Sequence, residues 1–105
     1  MQTNYSINSQ ALKRLIDVGA TGLTIRVLDW LLDNADENGQ VIGTTDSMSR
    51  SFNQGLQQGD KLFRAPASIN LSIIFLRRAG VITVEHRMKK PSIHTLNPEL
   101  IRPIR

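Results

Sequence analysis

Residues Ala65–Pro98 decide the fold and read APASINLSIIFLRRAGVITVEHRMKKPSIHTLNP. The first part of this stretch has the signals of an α-helix. Pro66 suits the first turn, where the N–H group that proline lacks would have no partner anyway. Arg77 and Arg78 complement the helix dipole in the last turn, and Gly80 suits the left-handed position that ends a helix. One face is formed by residues spaced at i, i+3, i+4 and i+7, namely Ile69, Ser72, Ile73 and Leu76.

The residues after Gly80 have the pattern of two strands joined by a basic turn. Val81–Val84 is β-branched throughout, which is typical of a strand. The charged segment Arg87–Pro91 interrupts this pattern, and Ser92–Leu96 resumes it before Asn97-Pro98. A helix, a glycine stop and a hairpin with a cationic tip form the second half of a winged helix-turn-helix domain, and the stretch predicts that fold.

Two helices are predicted near the start of the chain. Asn8 or Ser9 caps a short helix that ends near Gly19. A second helix, capped by Thr24, runs to about Asn34 and is so apolar that we expect it at the centre of the core.

A strand and a third helix are predicted to follow. Gln40–Gly43 is a short strand that can pair with the later hairpin, and Thr44 or Thr45 caps a helix over Asp46–Phe52. The connection over residues 53–64 contains two glycines and is longer than the roughly 3–4 residues of a simple helix-turn-helix. It is either an expanded turn or contains an extra helical turn.

The predicted fold class is α+β, mostly α, with an extra N-terminal helix and a three-stranded wing sheet added to the winged helix-turn-helix. Residues 1–22 form an arm and a short helix, of which residues 1–7 are expected to be loose. Residues 23–98 form the winged helix domain. Residues 99–105 form a C-terminal tail with no predicted structure.

Two segments carry a resemblance to a known family. The segments are Ala79-Gly80-Val81-Ile82 and Leu96-Asn97-Pro98-Glu99-Leu100. In the winged-helix replication proteins of Gram-positive plasmids, a segment similar to the first ends the recognition helix and one similar to the second ends the wing. The resemblance covers about Leu23–Leu100, and extends more loosely to winged-helix regulators of bacteria and phages. It implies sequence-specific binding of double-stranded DNA in replication, partition or transcriptional control. The long connection and the start Ala65-Pro66-Ala67-Ser68, which lacks basic residues, depart from the family pattern.

Composition agrees with a nucleic-acid-binding domain. The 105 residues carry a net charge of +4 and include no cysteine, which excludes disulfides and thiolate chemistry. Residues 1–45 hold five acidic and three basic side chains, whereas residues 46–105 hold four acidic and ten basic ones. A basic excess in the half with the hairpin is typical of a cationic binding face. Without a long apolar run or a start like a signal peptide, the chain is predicted to be cytoplasmic, with no membrane partner.

Three groups of residues are predicted to contact DNA. The hydroxyls and the arginine at the third helix would bind the phosphate backbone, the start of the recognition helix would approach the major groove, and the hairpin tip would contact phosphates or the minor groove. In that order they are Thr44, Thr45, Ser47 and Arg50; Arg64 and Ser68; and Arg87, Lys89 and Lys90. Helix capping alone also explains the hydroxyl residues.

The recognition helix is apolar on the side opposite its core stripe as well. Leu71, Ile74 and Phe75 lie there and need a cover, since soluble monomers rarely expose such patches. The cover is either the N-terminal helix of the same chain or a second copy, and a homodimer is favoured because it would place two wings on related half-sites. The predicted interface residues are Leu12, Leu15, Ile16, Leu71, Ile74 and Phe75. A further protein of a replication or partition system is another possible partner, and the alternative function is a protein-interaction module with little DNA binding.

An enzyme is not predicted. His86 and His94 lie in the two hairpin strands and can be neighbours, but no Asp or Glu with ligand spacing accompanies them. Gly55 and Gly59 are not followed by the Lys-Ser/Thr of a phosphate-binding loop. We therefore expect no catalytic residue, metal or cofactor.

Overall fold

A computed structural model describes residues 5–104 of the chain. Within this range the chain forms an α+β domain with four helices, a three-stranded antiparallel sheet and a two-stranded ribbon. None of these helices has the length and apolar character required to cross a bilayer. The elements are β1 (Tyr5–Ile7), α1 (Ser9–Asp17), α2 (Gly22–Asn34), β2 (Gln40–Gly43), α3 (Thr45–Phe52), α4 (Pro66–Arg78), β3 (Ile82–Arg87), β4 (Lys90–Leu96) and β5 (Ile101–Pro103).

Helix α4 packs against α2 in the centre of the domain. The predicted stripe of α4 is buried, with Ile69 and Leu76 at 2% and 0% exposure. Val27, Leu28 and Leu31 of α2 are equally inaccessible to solvent. Because burying one such side chain is worth roughly 1.5–3 kcal/mol, this contact supplies a large share of the folding free energy.

The end of α4 is fixed by a Schellman motif. Gly80 has a φ of 74°, its N–H donates to the Arg77 carbonyl, and the Val81 N–H donates to the Leu76 carbonyl at 3.2 Å. The Asn97 side-chain amide donates to the Gly80 carbonyl at 2.8 Å, so the end of β4 is held against the end of α4. The predicted role of Gly80 is confirmed.

The three-stranded sheet has the order β2-β4-β3, so the predicted pairing of β2 with the hairpin is confirmed. Arg87 pairs with Lys90 across a two-residue turn in which Lys89 adopts a left-handed φ of 57°. The Arg87 side chain donates from Nε and Nη2 to the Pro91 carbonyl at 2.9 and 2.7 Å. These bonds hold the turn in shape.

Both ends of the described chain are ordered, and the prediction of a loose arm and a tail without structure is wrong for them. β1 pairs antiparallel with β5, and Ile101 is buried in the core. Asn8 caps α1 through its Oδ1 and donates from Nδ2 to the Glu99 carbonyl, which ties the two ends together. The parts of these predictions that concern residues 1–4 and 105 lie outside the described residues.

The N-cap residues of α2 and α3 can be assigned from the structure. Thr21, not Thr24, is the N-cap of α2, and Thr24 completes a capping box as its third residue. Thr44 is the N-cap of α3, with Ser47 as its capping-box partner. Trp30 is half-buried and packs against the core.

The connection between α3 and α4 is a closed loop without a further helix. Asn53 is 5% exposed, and its side chain donates to the Arg64 carbonyl at 2.7 Å and accepts the Arg64 N–H at 2.9 Å. Arg26 of α2 donates to the Leu62 carbonyl and lies over the Phe52 ring at 4.8 Å. The expanded turn is therefore an Ω-like loop whose two ends are joined by one side chain.

We expect the substitution Asn53→Ala to lower the free energy of unfolding by about 2 kcal/mol, because it leaves the Arg64 N–H and carbonyl without partners. Urea denaturation followed by circular dichroism measures this loss. The exposed neighbouring variant Gln54→Ala is the control and should unfold like the wild type. Equal stability of the two variants would show that the Asn53 bonds do not hold the loop.

Candidate nucleic-acid interface

A small cleft of about 60 Å³ opens where the start of α3, the outer edge of α4 and the hairpin meet. Polar groups from all three elements line it, together with apolar side chains of α4 and β3. The lining residues are Gly43, Thr45, Asn70, Ile73, Ile74, Arg77, Val84, His86, Ser92 and His94. This cleft combines a helix N-terminus, an arginine and two histidines.

The start of α3 contributes Thr45 to the cleft, whereas the next residue, Asp46, lines a separate groove. Thr44 Oγ1 accepts the Ser47 N–H at 3.0 Å, and Ser47 Oγ accepts the Thr44 N–H at 2.9 Å, so both hydroxyls are used in capping. The N–H groups of Thr45 and Asp46 donate to no other group in the described part of the chain. Free N–H groups at the positive end of a helix favour an anion.

The remaining predicted residue of α3, Arg50, is exposed and lies away from the cleft. It lines a separate groove between α3 and the 53–64 loop, together with Asp46, Leu56 and Phe63. Arg50 therefore lies on the surface formed by α3 and the 53–64 loop and does not line the cleft.

The outer face of α4 differs from the predicted one. Ser68 is half-buried and does not line the cleft, and the Arg64 guanidinium donates to the Lys61 and Phe63 carbonyls. Asn70 and Arg77, which the sequence analysis did not select, are exposed and line the cleft, and neither side chain hydrogen-bonds another described residue. Both residues could have been predicted from their spacing of seven residues, because this spacing places them on one edge of the helix next to the buried stripe.

The hairpin tip carries the most accessible cations. Met88 is 88% exposed, and Lys89 and Lys90 beside it are both exposed. Arg87 is half-buried and already bonded to the Pro91 carbonyl. The two lysines are free to contact a ligand, whereas Arg87 shapes the turn.

His94 is a buried base at the bottom of the cleft. It is 7% exposed, and its Nδ1 lies 3.1 Å from the Val41 carbonyl. Because a carbonyl only accepts, Nδ1 carries the proton and Nε2 is an unprotonated acceptor in the neutral ring. Burial lowers the pKa of His94, and the nearby charges of His86 and Arg77 lower it further, while the bond to Val41 opposes the shift.

His86 lies on the same face of the hairpin, as the sequence suggested. Val84 is the register partner of His94, and His86 Nδ1 lies 3.1 Å from Ser92 Oγ. Within residues 5–104, no three His, Asp or Glu side chains converge as a metal site.

The predicted apolar interface is divided between two regions of the surface. Leu15 is 2% exposed inside the core and cannot contact a second molecule, so its assignment to the interface is wrong. Leu12 and Ile16 on α1 are 50% and 76% exposed, and Leu12 lines an apolar groove of about 120 Å³ between β1, α1 and α2. The other residues lining this groove are Ile7, Leu15, Ile25, Leu28, Asp29 and Leu32.

The apolar residues of α4 lie elsewhere. Leu71 is 52% exposed, whereas Ile74 and Phe75 are half-buried. The N-terminal helix of the same chain therefore does not cover Leu71. Coverage of this face by a second copy stays a prediction.

Comparison with known proteins gives no relative: no protein-family model, no curated protein and no solved structure matches this chain.

Proposed function

We propose that the chain is a winged helix-turn-helix domain that binds double-stranded DNA. The order of its central elements supports this fold, since a helix, a strand, two helices and a hairpin follow one another from α2 to β4. The sheet order β2-β4-β3 places the first strand beside the hairpin, as a wing sheet requires. In this proposal α4 is the recognition helix and the turn at Met88–Lys89 is the wing tip.

One observation carries the proposal. The start of α3 at Thr45, the exposed edge of α4 and the hairpin converge on the same cleft, although they are far apart in the sequence. Arg77 of α4 lines this cleft, and Arg78 lies next to it along the helix. Lys89 and Lys90 extend the cationic surface along the hairpin. A phosphate backbone is the ligand that such an array of donors and cations suits.

The most direct test is the salt dependence of binding to duplex DNA. The double variant Lys89→Asn with Lys90→Gln removes two charges, and asparagine tolerates the left-handed backbone of position 89. Each lost phosphate contact should flatten the slope of log K against log salt by about 0.9, so we expect a change of about 1.8. Fluorescence anisotropy between roughly 50 and 200 mM salt measures the slope.

The variant Arg102→Gln serves as the control for this measurement, because it removes a charge from β5, away from the cleft. Its slope should match that of the wild type. An unchanged slope in the double lysine variant would exclude the hairpin tip from the interface. If the anisotropy of duplex DNA from the neighbourhood of the gene does not change even at low salt, DNA binding is excluded. The alternative function, a protein-interaction module, would then remain.

We also propose that the protein is a homodimer and that the groove between α1 and α2 is its interface. Leu12 of α1 and Asp29 of α2 line this groove, and Ile16 is exposed one helical turn after Leu12. In a two-fold arrangement the α1 of each copy enters the groove of the other. The outer face of α4 then stays free for DNA.

Sedimentation equilibrium tests this arrangement with two matched variants. Ile16→Glu should dissociate a dimer that is stable at concentrations on the order of tens of micromolar, because it would bury a carboxylate without a partner. Leu71→Glu places the same charge on α4 and should leave the dimer intact while weakening DNA binding. Dissociation by Leu71→Glu alone would move the interface to α4, and a monomeric wild type would contradict the dimer.

The proposed function includes three biological processes. Replication initiation, partition of a plasmid and transcriptional control all use duplex DNA binding by a small dimer, and a cytoplasmic location is consistent with each. Identifying the DNA sequence that the protein selects from a random duplex library would separate them, because the position of that sequence relative to genes and origins differs.

A further inference from the structure

Met88 at the tip of the hairpin is an exposed apolar side chain beside two cations. It is 88% exposed, which is the highest value among the large apolar side chains of residues 5–104. Lys89 and Lys90 follow it and are both exposed. Single exposed apolar residues are common on proteins, so the shape of the turn must show whether this one has a role.

The turn holds Met88 in a fixed position at the end of the sheet. Arg87 and Lys90 are paired, so Met88 and Lys89 alone connect β3 to β4. The Arg87 side chain donates twice to the Pro91 carbonyl, which braces the turn. A braced turn of two residues is narrow, and it presents Met88 to a ligand with little loss of conformational entropy.

The backbone at Lys89 is a second sign that the tip is adapted for binding. Its φ of 57° is the only positive value at a non-glycine residue in the described part of the chain. Glycine or asparagine adopts this conformation with less strain. A lysine there lowers the stability of the turn and adds a cation beside Met88, and strain of this kind is often found at binding sites.

The start of α4, by contrast, has few groups that can read base edges. Residues 65–67 are Ala-Pro-Ala and have no polar side-chain atom. Ser68 is half-buried, and the Arg64 guanidinium donates to carbonyls of its own loop. Because bases are distinguished directly by hydrogen-bonding side chains, direct readout by this part of α4 is limited. Selectivity for a DNA sequence then needs a further source, and the ease with which DNA deforms is one.

We propose that Met88 is a wedge that enters the minor groove of duplex DNA and inserts between two base pairs, and that the protein selects sites where a base step opens easily. This inference rests on the proposed function and adds the residue and the DNA property that determine selectivity. The minor groove is about 6 Å wide, so a two-residue turn with one unbranched side chain at its tip can enter it, whereas a helix cannot. Lys89 and Lys90 then lie near the phosphates that border the groove.

The chemistry of both partners suits this insertion. Methionine is unbranched and polarisable and has three rotatable bonds, so it fits irregular apolar gaps. Its insertion removes the thioether chain and the faces of the separated bases from water. Opening a base step costs free energy, and the cost is lowest at flexible pyrimidine–purine steps such as TA. The wedge therefore favours duplexes that have such a step beneath the hairpin tip.

The test uses the full chain and two duplexes of equal length and base composition. One contains regularly spaced TA steps, and in the other the same bases form stiff A-tracts. 2-Aminopurine replaces adenine in both, because its fluorescence rises when it is unstacked. Met88→Gln keeps the length of the side chain and removes its apolar character, whereas Met88→Leu keeps the apolar character. Since residue 88 is so exposed, neither substitution should change the fold.

We expect the wild type and Met88→Leu to raise the 2-aminopurine fluorescence of the TA duplex and to bind it more tightly than the A-tract duplex. Met88→Gln should bind the TA duplex about tenfold more weakly than the wild type, without the rise in fluorescence. Its slope of log K against log salt should equal that of the wild type, because the substitution removes no phosphate contact.

The opposite results separate this inference from the proposed function. Duplex binding without unstacking, or with equal unstacking by Met88→Gln and the wild type, would overturn the wedge and leave the proposed function standing. A flatter salt slope in Met88→Gln would show that the substitution acts through the lysines, which also contradicts the wedge. Absence of duplex binding would overturn both proposals.

Vesicles of phosphatidylserine and phosphatidylcholine are the second probe. A basic tip with one apolar side chain can also insert into an anionic lipid surface. We expect no vesicle binding that depends on Met88. Vesicle binding that Met88→Gln abolishes, with an unchanged affinity for the duplex, would make the tip a membrane contact and overturn the wedge.

Discussion

The junction between α4 and the hairpin is the constraint on which the rest of the surface depends. Gly80 takes a left-handed conformation that most residues adopt only with strain, and this lets the chain turn from helix to strand within two residues. Asn97 then bonds the Gly80 carbonyl, so the far end of the hairpin is fixed to the same point. Because both strands are anchored there, the hairpin lies along the outer edge of α4 and the cleft between them has a defined width.

Much of this framework could be predicted from the sequence, because its signals are local. The buried stripe of α4, the glycine after it and the β-branched strands each lie within a few residues. The ribbon of β1 and β5 could not be predicted, since three-residue strands have no periodicity and their pairing joins opposite ends of the chain. The same applies to the loop after α3, because Asn53 holds it through bonds to Arg64, eleven residues away.

The candidate site was less predictable than the fold. The site residues were predicted from their chemical type, but several of their side chains form hydrogen bonds within the protein. Thr44 and Ser47 form a capping box, and Arg64 and Arg87 donate to backbone carbonyls. The position of a carbonyl acceptor depends on the path of the backbone, so it cannot be predicted from residue type. Helical periodicity predicts the cleft residues of α4 better, since Asn70 and Arg77 are seven residues apart and lie on the same edge of the helix.

The apolar residues of the cleft explain how its polar groups behave. Ile73, Ile74 and Val84 line it beside Arg77 and His94. Burial disfavours the charged form of an imidazole, which is the main reason why the pKa of His94 lies below its ordinary value. An anion in this cleft would therefore interact with the Arg77 guanidinium and the Thr45 N–H group rather than with a charged His94.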